Sequence, residues 1–147
     1  MRNIFVTLCL LGCASASHAA LGGSPTVAAT APATSALKTF KAADAGYTVR
    51  SNTQANGTLV KEFVANNGVV FAVVWEGPFT PDLKSLLGDH FGTMTAAANA
   101  RPMAGNSQLN IDASGVVIQA GGHMRARHGR AWLPANLPAG VSADDIQ

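Results

Sequence analysis

The chain has 147 residues, 48% of them apolar and 12% charged, which is enough hydrophobic material for one core and too much for a disordered chain. Ten Lys and Arg stand against eight Asp and Glu, a near balance that excludes the basic footprint of a nucleic-acid binder. Beyond Ala20 no apolar run approaches the roughly 20 residues that cross a bilayer as a helix, so no membrane span is expected.

The first nineteen residues have the layout of an export signal. Met1-Arg2-Asn3 supplies a positive charge, Ile4 to Leu11 is a run of mostly large apolar residues, and small residues follow to Ser17-His18-Ala19. Small side chains one and three positions before a cut suit signal peptidase, so cleavage is expected between Ala19 and Ala20, with delivery to the periplasm or the medium. Leu10-Leu11-Gly12-Cys13 also resembles a lipobox, in which Cys13 would be acylated and the protein anchored to the envelope. Leu11 is bulkier than that motif usually carries, which favours the ordinary cut. On either path Cys9 is lost and no cysteine pair remains, so a disulfide, a cysteine nucleophile and a thiolate metal site are all excluded from the folded domain.

Residues 20–36 are Ala, Thr, Pro, Ser and Gly with hardly a large side chain, and read as a flexible arm. A single domain is expected over 37–147. Its first strand opens at Tyr47-Thr48-Val49-Arg50. Asn56-Gly57 and Asn67-Gly68 are hairpin turns, flanking a strand from Thr58 to Val64 and leading into Val69–Trp75. That last run is apolar throughout and β-branched, as in a strand covered on both faces. The three strands make an antiparallel meander.

Thr80-Pro81-Asp82 has the order of a helix start, with a hydroxyl cap, proline at the first helical position and an acid at the positive dipole end. A helix is predicted from Pro81 to about Asn99, its stripe made of Leu83, Leu86, Leu87, His90, Phe91 and Met94. Gly88 and Gly92 lie on another face, where each weakens a helix by roughly 1 kcal/mol against alanine unless the backbone approaches something closely there. Pro102, Gly105 and Asn106 close the segment. Ser107–Asp112 and Val116–Gln119 read as two more strands joined at Ser114-Gly115. Gly121-Gly122 reads as a bulge or turn and His128-Gly129 as a hairpin tip. Pro134 to Gln147 is expected to be a covering tail.

Candidate chemistry centres on the segment from His123 to Arg130. His123, Arg125, Arg127 and Arg130 form the one basic cluster, either a solvated face or the binding site of a small anion. Three histidines survive processing, and His123, His128 and His90 with Met94, Met103 and Met124 carry the donor types of a copper or zinc site. Residues five apart on a strand face opposite ways, so His123 and His128 could share a metal only if a turn or bulge reverses one. No metal and no cofactor is expected. His90 lies in the apolar stripe of the helix and reads as a packed residue. Glu62 and Glu76 are the only glutamates, a thin basis for carboxylate catalysis. A Gly-x-Ser-x-Gly elbow, a phosphate-binding loop and a dinucleotide fingerprint are all lacking in the sequence. Trp75 and Trp132 read as core residues, with a share in a ligand pocket as the alternative.

Several stretches together resemble a known family: Ala20-Leu21-Gly22-Gly23; Phe71–Pro78 running through Pro81-Asp82-Leu83 to Leu86-Leu87-Gly88 and Phe91; Gly121–Arg125; Gly129–Pro134; and Leu137–Ser142. It is the exported proteobacterial family catalogued as domain of unknown function 2844. The resemblance implies an envelope or secreted setting in a Gram-negative bacterium and carries over no catalytic or binding residue. The fold expected is α+β, an antiparallel sheet of about five to seven strands, estimated from turn spacing, with one amphipathic helix packed on a face. The function expected is a non-catalytic envelope binding or accessory protein with an envelope protein or small ligand as partner. The alternatives are a small-ligand, anion or metal module at the His123–Arg130 hairpin and, third, an enzyme of unfamiliar site.

Overall fold

The computed structural model describes residues 20–25, 38–41, 46–100 and 108–147. Ala19, Cys13, most of the expected arm (residues 26–36), and Met103 with the closing signals Pro102, Gly105 and Asn106 lie outside them. Seven strands in chain order, β1 (Lys38–Lys41), β2 (Tyr47–Thr53), β3 (Leu59–Ala65), β4 (Val70–Gly77), β5 (Leu109–Ala113), β6 (Val116–His123) and β7 (Ala126–Trp132), form one antiparallel sheet. Its order is β1-β2-β3-β4-β7-β6-β5. The meander β2-β3-β4 predicted from the two Asn-Gly turns is present, and β1 is an addition to it, with Phe40 opposite Val49. The α+β class holds.

Both Asn-Gly turns differ from the two-residue type the sequence suggests. Gln54 and Thr58 close a loop of Ala55-Asn56-Gly57, Ala65 and Val69 one of Asn66-Asn67-Gly68, and in each only the glycine is left-handed, at φ +82° and +81°. Asn56 Oδ1 and Asn67 Oδ1 accept from the backbone N–H two residues on, at 2.9 and 3.0 Å. Asparagine here is an acceptor that closes a three-residue loop.

The central strand β4 is buried on both faces, as its unbroken apolar run predicts. A bulge adds a detail that alternation alone misses: Phe63 pairs Ala72 but Val64 pairs Val70, leaving Phe71 as the extra residue. Val70, Val73 and Trp75 then face the helix, while Phe71 and Ala72 face the other way. On that second face Phe71 meets Tyr47 edge-on (5.7 Å between centroids, 87°) and lies 6.1 Å from Phe63. Burying each of these large side chains stabilises the fold by roughly 1.5–3 kcal/mol.

The helical segment runs from Leu83 to Asn99 but is not one helix. α1 (Leu83–Leu87) ends in a 3₁₀ turn, Gly88–His90, and α2 (Phe91–Asn99) follows. Gly88 sits at φ +54°, and a Cβ there would stand 2.6 Å from the Cβ of Ala20, so this glycine serves both a backbone reversal and a close approach. Nothing lies within 4 Å of a Cβ built on Gly92. The cap is also displaced. Asp82, rather than Thr80, caps α1: its Oδ1 accepts from the N–H of Lys84 (3.1 Å) and Ser85 (3.3 Å), and its Oδ2 from the Ser85 hydroxyl (2.6 Å). A carboxylate is the stronger acceptor for orphan N–H groups. Leu86, Leu87 and Met94 of the predicted stripe are buried, with Leu83 and Phe91 packed beside them; His90 is half-buried.

The start of the expected arm is part of the core. Leu21 is 4% exposed, its N–H donates to Leu86 O (2.9 Å), Gly22 N–H to Val70 O (2.8 Å), and Val70 N–H to Gly23 O (3.0 Å). One large side chain among small ones is enough to dock the segment, because it fills a gap between α1 and β4 and satisfies the N–H at the head of that strand.

The tail after β7 covers the face opposite the helices, as predicted. Ile146 is fully buried against Phe71 and Trp132. Ser142 and Asp145 close a reciprocal cap around a final 3₁₀ turn, Ala143–Asp145.

Candidate functional site

The basic segment forms a hairpin whose tip is Met124-Arg125, with His123 opposite Ala126. The sequence signal for a tip at His128-Gly129 is overturned: both residues lie inside β7, paired with Gly121 and Ala120 on one side and Glu76 and Trp75 on the other. Gly129 is needed there because the Trp75 indole lies across it, and a Cβ would strike the ring. Arg125 supplies the turn instead, at φ +65°, a left-handed conformation that penalises any residue with a Cβ by about 1–2 kcal/mol.

The four predicted binding residues divide. His123, Arg125 and Arg127 are exposed around the tip. Arg130 is not available in the same way, because it clamps the tail. Its Nε donates to Gln119 Oε1 (2.8 Å), its Nη1 to the carbonyls of Ala143 (2.9 Å) and Ile146 (3.3 Å), and its guanidinium lies 5.2 Å from the Trp132 ring centre. Trp132 is 7% exposed and Trp75 2%, so both tryptophans are core residues. His123 and His128 fall on one face after all, since the turn between them reverses the chain and register sets His123 beside Ala126, two positions from His128. Among the described residues no group of three or more His, Cys, Asp or Glu is arranged to hold a metal ion.

A groove of about 330 Å³ opens on the tail side of this hairpin, lined by Gln108, Asn110, Gln119, His128, Arg130 and Gln147, with Val74 and Ile146 also in its wall. Sequence reading misses the three amides Gln108, Asn110 and Gln119. The signal was present in the alternation with Leu109, Ile111 and Ile118, which face the helices, but nothing local says that the opposite face stays open. Gly121 lies in the groove's wall, where a Cβ would stand 3.4 Å from both Gln108 and His128, an ordinary contact. The lining offers donors and acceptors and no carboxylate side chain, a setting for a small polar or anionic molecule.

The glutamates do not converge. Glu62 pairs with Val73 and faces the helix side, 8% exposed, whereas Glu76 is exposed and neighbours Trp75, so it faces the tail side.

These features define a small α+β protein in which one seven-stranded sheet carries helices on one face and its own tail on the other, with a basic hairpin tip at one end of the sheet. The chain belongs to the family described as "Protein of unknown function (DUF2844)", whose model matches residues 17–146. No curated protein and no solved structure matches the chain.

Proposed function

We propose that this is an exported, non-catalytic binding or accessory protein of the Gram-negative envelope, which engages its partner through the β6–β7 hairpin. The observation that carries the reading is the tip itself, where His123, Arg125 and Arg127 are exposed around Met124. Export is supported by the leader pattern in residues 1–19, nearly all of which precede the matched domain. A cut after Ala19 also spares Leu21, which belongs to the core. The periplasm or the medium is the compartment proposed; acylation at Cys13 would place the same domain on a membrane.

A photo-crosslinking residue in place of Met124, expressed in the native host, tests the role of the tip. Discrete adducts that vanish when Arg125 and Arg127 are replaced by serine are the expected result; labelling equal to that of a probe at exposed Asp112 would overturn it. Mass spectrometry of the purified N-terminus should find Ala20 first. A retained leader would refute export, and a diacylated Cys13 would replace the soluble form by the anchored one.

The groove beside His128 favours a second reading, a small-ligand module. Thermal shifts with a panel of small anions and sugars, abolished in Gln119→Ala and His128→Ala, are its expected signature. A flat panel removes it.

A further inference from the structure

We infer that the β6–β7 tip, together with the loop after β4, is a docking surface for an anionic phospholipid bilayer. The inference rests on the reading of the tip as the contact surface and names what it contacts. Three observations meet at this end of the sheet. Among the described residues, the pairing of β5 with β6 stops at Leu109 and Ala120 and that of β4 with β7 at Gly77 and Arg127, so within them His123 to Ala126 pair only with each other. The two exposed large hydrophobic residues among the described residues are both at this end: Met124 at the apex, 89% exposed, and Phe79, 56% exposed, two residues beyond Gly77.

The charge at the tip itself is cationic. His123, Arg125 and Arg127 are exposed, and the sequence holds no Asp or Glu between Gly77 and Pro81 or between Gly121 and Leu133. The acids adjoining these stretches in sequence are Glu76, which stands opposite His128 on the tail side, and Asp82, whose carboxylate caps α1. Arg125 holds a left-handed φ where glycine would be unstrained, so the fold does not call for an arginine there and the surface does.

An exposed methionine at a cationic tip, with a second exposed apolar side chain at the same end of the sheet, suits a soft interface. Met124 and Phe79 can enter the headgroup boundary while the guanidinium groups of Arg125 and Arg127 bond lipid phosphates. A rigid protein partner would need a matching cleft for each projection, and a nucleic acid would offer no place for Met124.

Co-sedimentation of the purified chain with vesicles tests this. Binding to phosphatidylcholine–phosphatidylglycerol vesicles, absent with phosphatidylcholine alone and weakened by salt, is expected. Arg125→Gly and Arg127→Ser should each lower the partition coefficient about fivefold, and Met124→Ser and Phe79→Ser each about tenfold. Arg125→Gly is the control for folding, since it relieves the turn and should melt no lower than the natural chain. Failure of the natural chain to sediment with anionic vesicles, or undiminished binding by all four variants, overturns the proposal. If the vesicles fail while the Met124 crosslinks to a protein persist, the tip remains a contact surface and the lipid assignment alone falls.

Discussion

Arg130 is a cation in a basic cluster by sequence and a clamp by structure. Its bonds to Ala143 and Ile146 hold the tail against Trp132, and hydrogen bonds from a charged donor each contribute roughly 1.5–3 kcal/mol when they are buried. Arg130→Ala is therefore expected to destabilise the protein by about 2–4 kcal/mol in urea unfolding. Arg130→Lys should recover less than half of that loss, since an ammonium cannot bond Gln119 and the two carbonyls in one plane. A loss under about 0.5 kcal/mol would mean that the tail stays down without the clamp. Gly129 is the complementary case. Alanine there should cost about 3 kcal/mol or more, because Trp75 is packed in the core and has nowhere to move.

The helical segment depends on two attachments, one local and one distant. Hydrogen bonds from the Ser85 hydroxyl, and then from the Ser85 N–H, hold the Asp82 carboxyl below its ordinary value of 3.8. The folded value is depressed, so the stabilisation is present above the unfolded value and is lost as pH falls through the folded one. Asp145, held low by the N–H and then the hydroxyl of Ser142, titrates in the same direction. Melting temperature should fall on acidification below about pH 4, and the fall should be shallower in Asp82→Asn and in Asp145→Asn. Parallel curves for all three proteins would show that the caps do not contribute. The distant attachment is Leu21. Leu21→Ala leaves a cavity between α1 and β4, with an expected loss of about 2–4 kcal/mol, and should speed amide exchange at Gly22 and Val70, whose N–H groups join the segment to β4. Exchange unchanged at both would make the segment an ornament on the core.

For the molecule as a whole, the sheet is two antiparallel runs joined at their last strands. β1 to β4 and β5 to β7 each form in sequence order, and β4 against β7 unites them at the centre. That seam explains why both buried faces meet at β4, and why the hairpin tip and the loop with Phe79 lie at the same end of the sheet. The local parts were legible: the meander, the apolar strand, the extent of the helical segment and the covering tail all follow from turn chemistry and periodicity within a few residues. Cooperation between distant segments was not. Gly129 reads as a turn until Trp75 is laid across it, Gly88 as a weak helix residue until Ala20 is seated on it, and Arg130 as a surface charge until the tail reaches it. Backbone propensity acts between neighbours and is written in their order along the chain. Close approach, clamping and an open groove arise where segments far apart in the chain meet, and shape alone sets which atoms touch there.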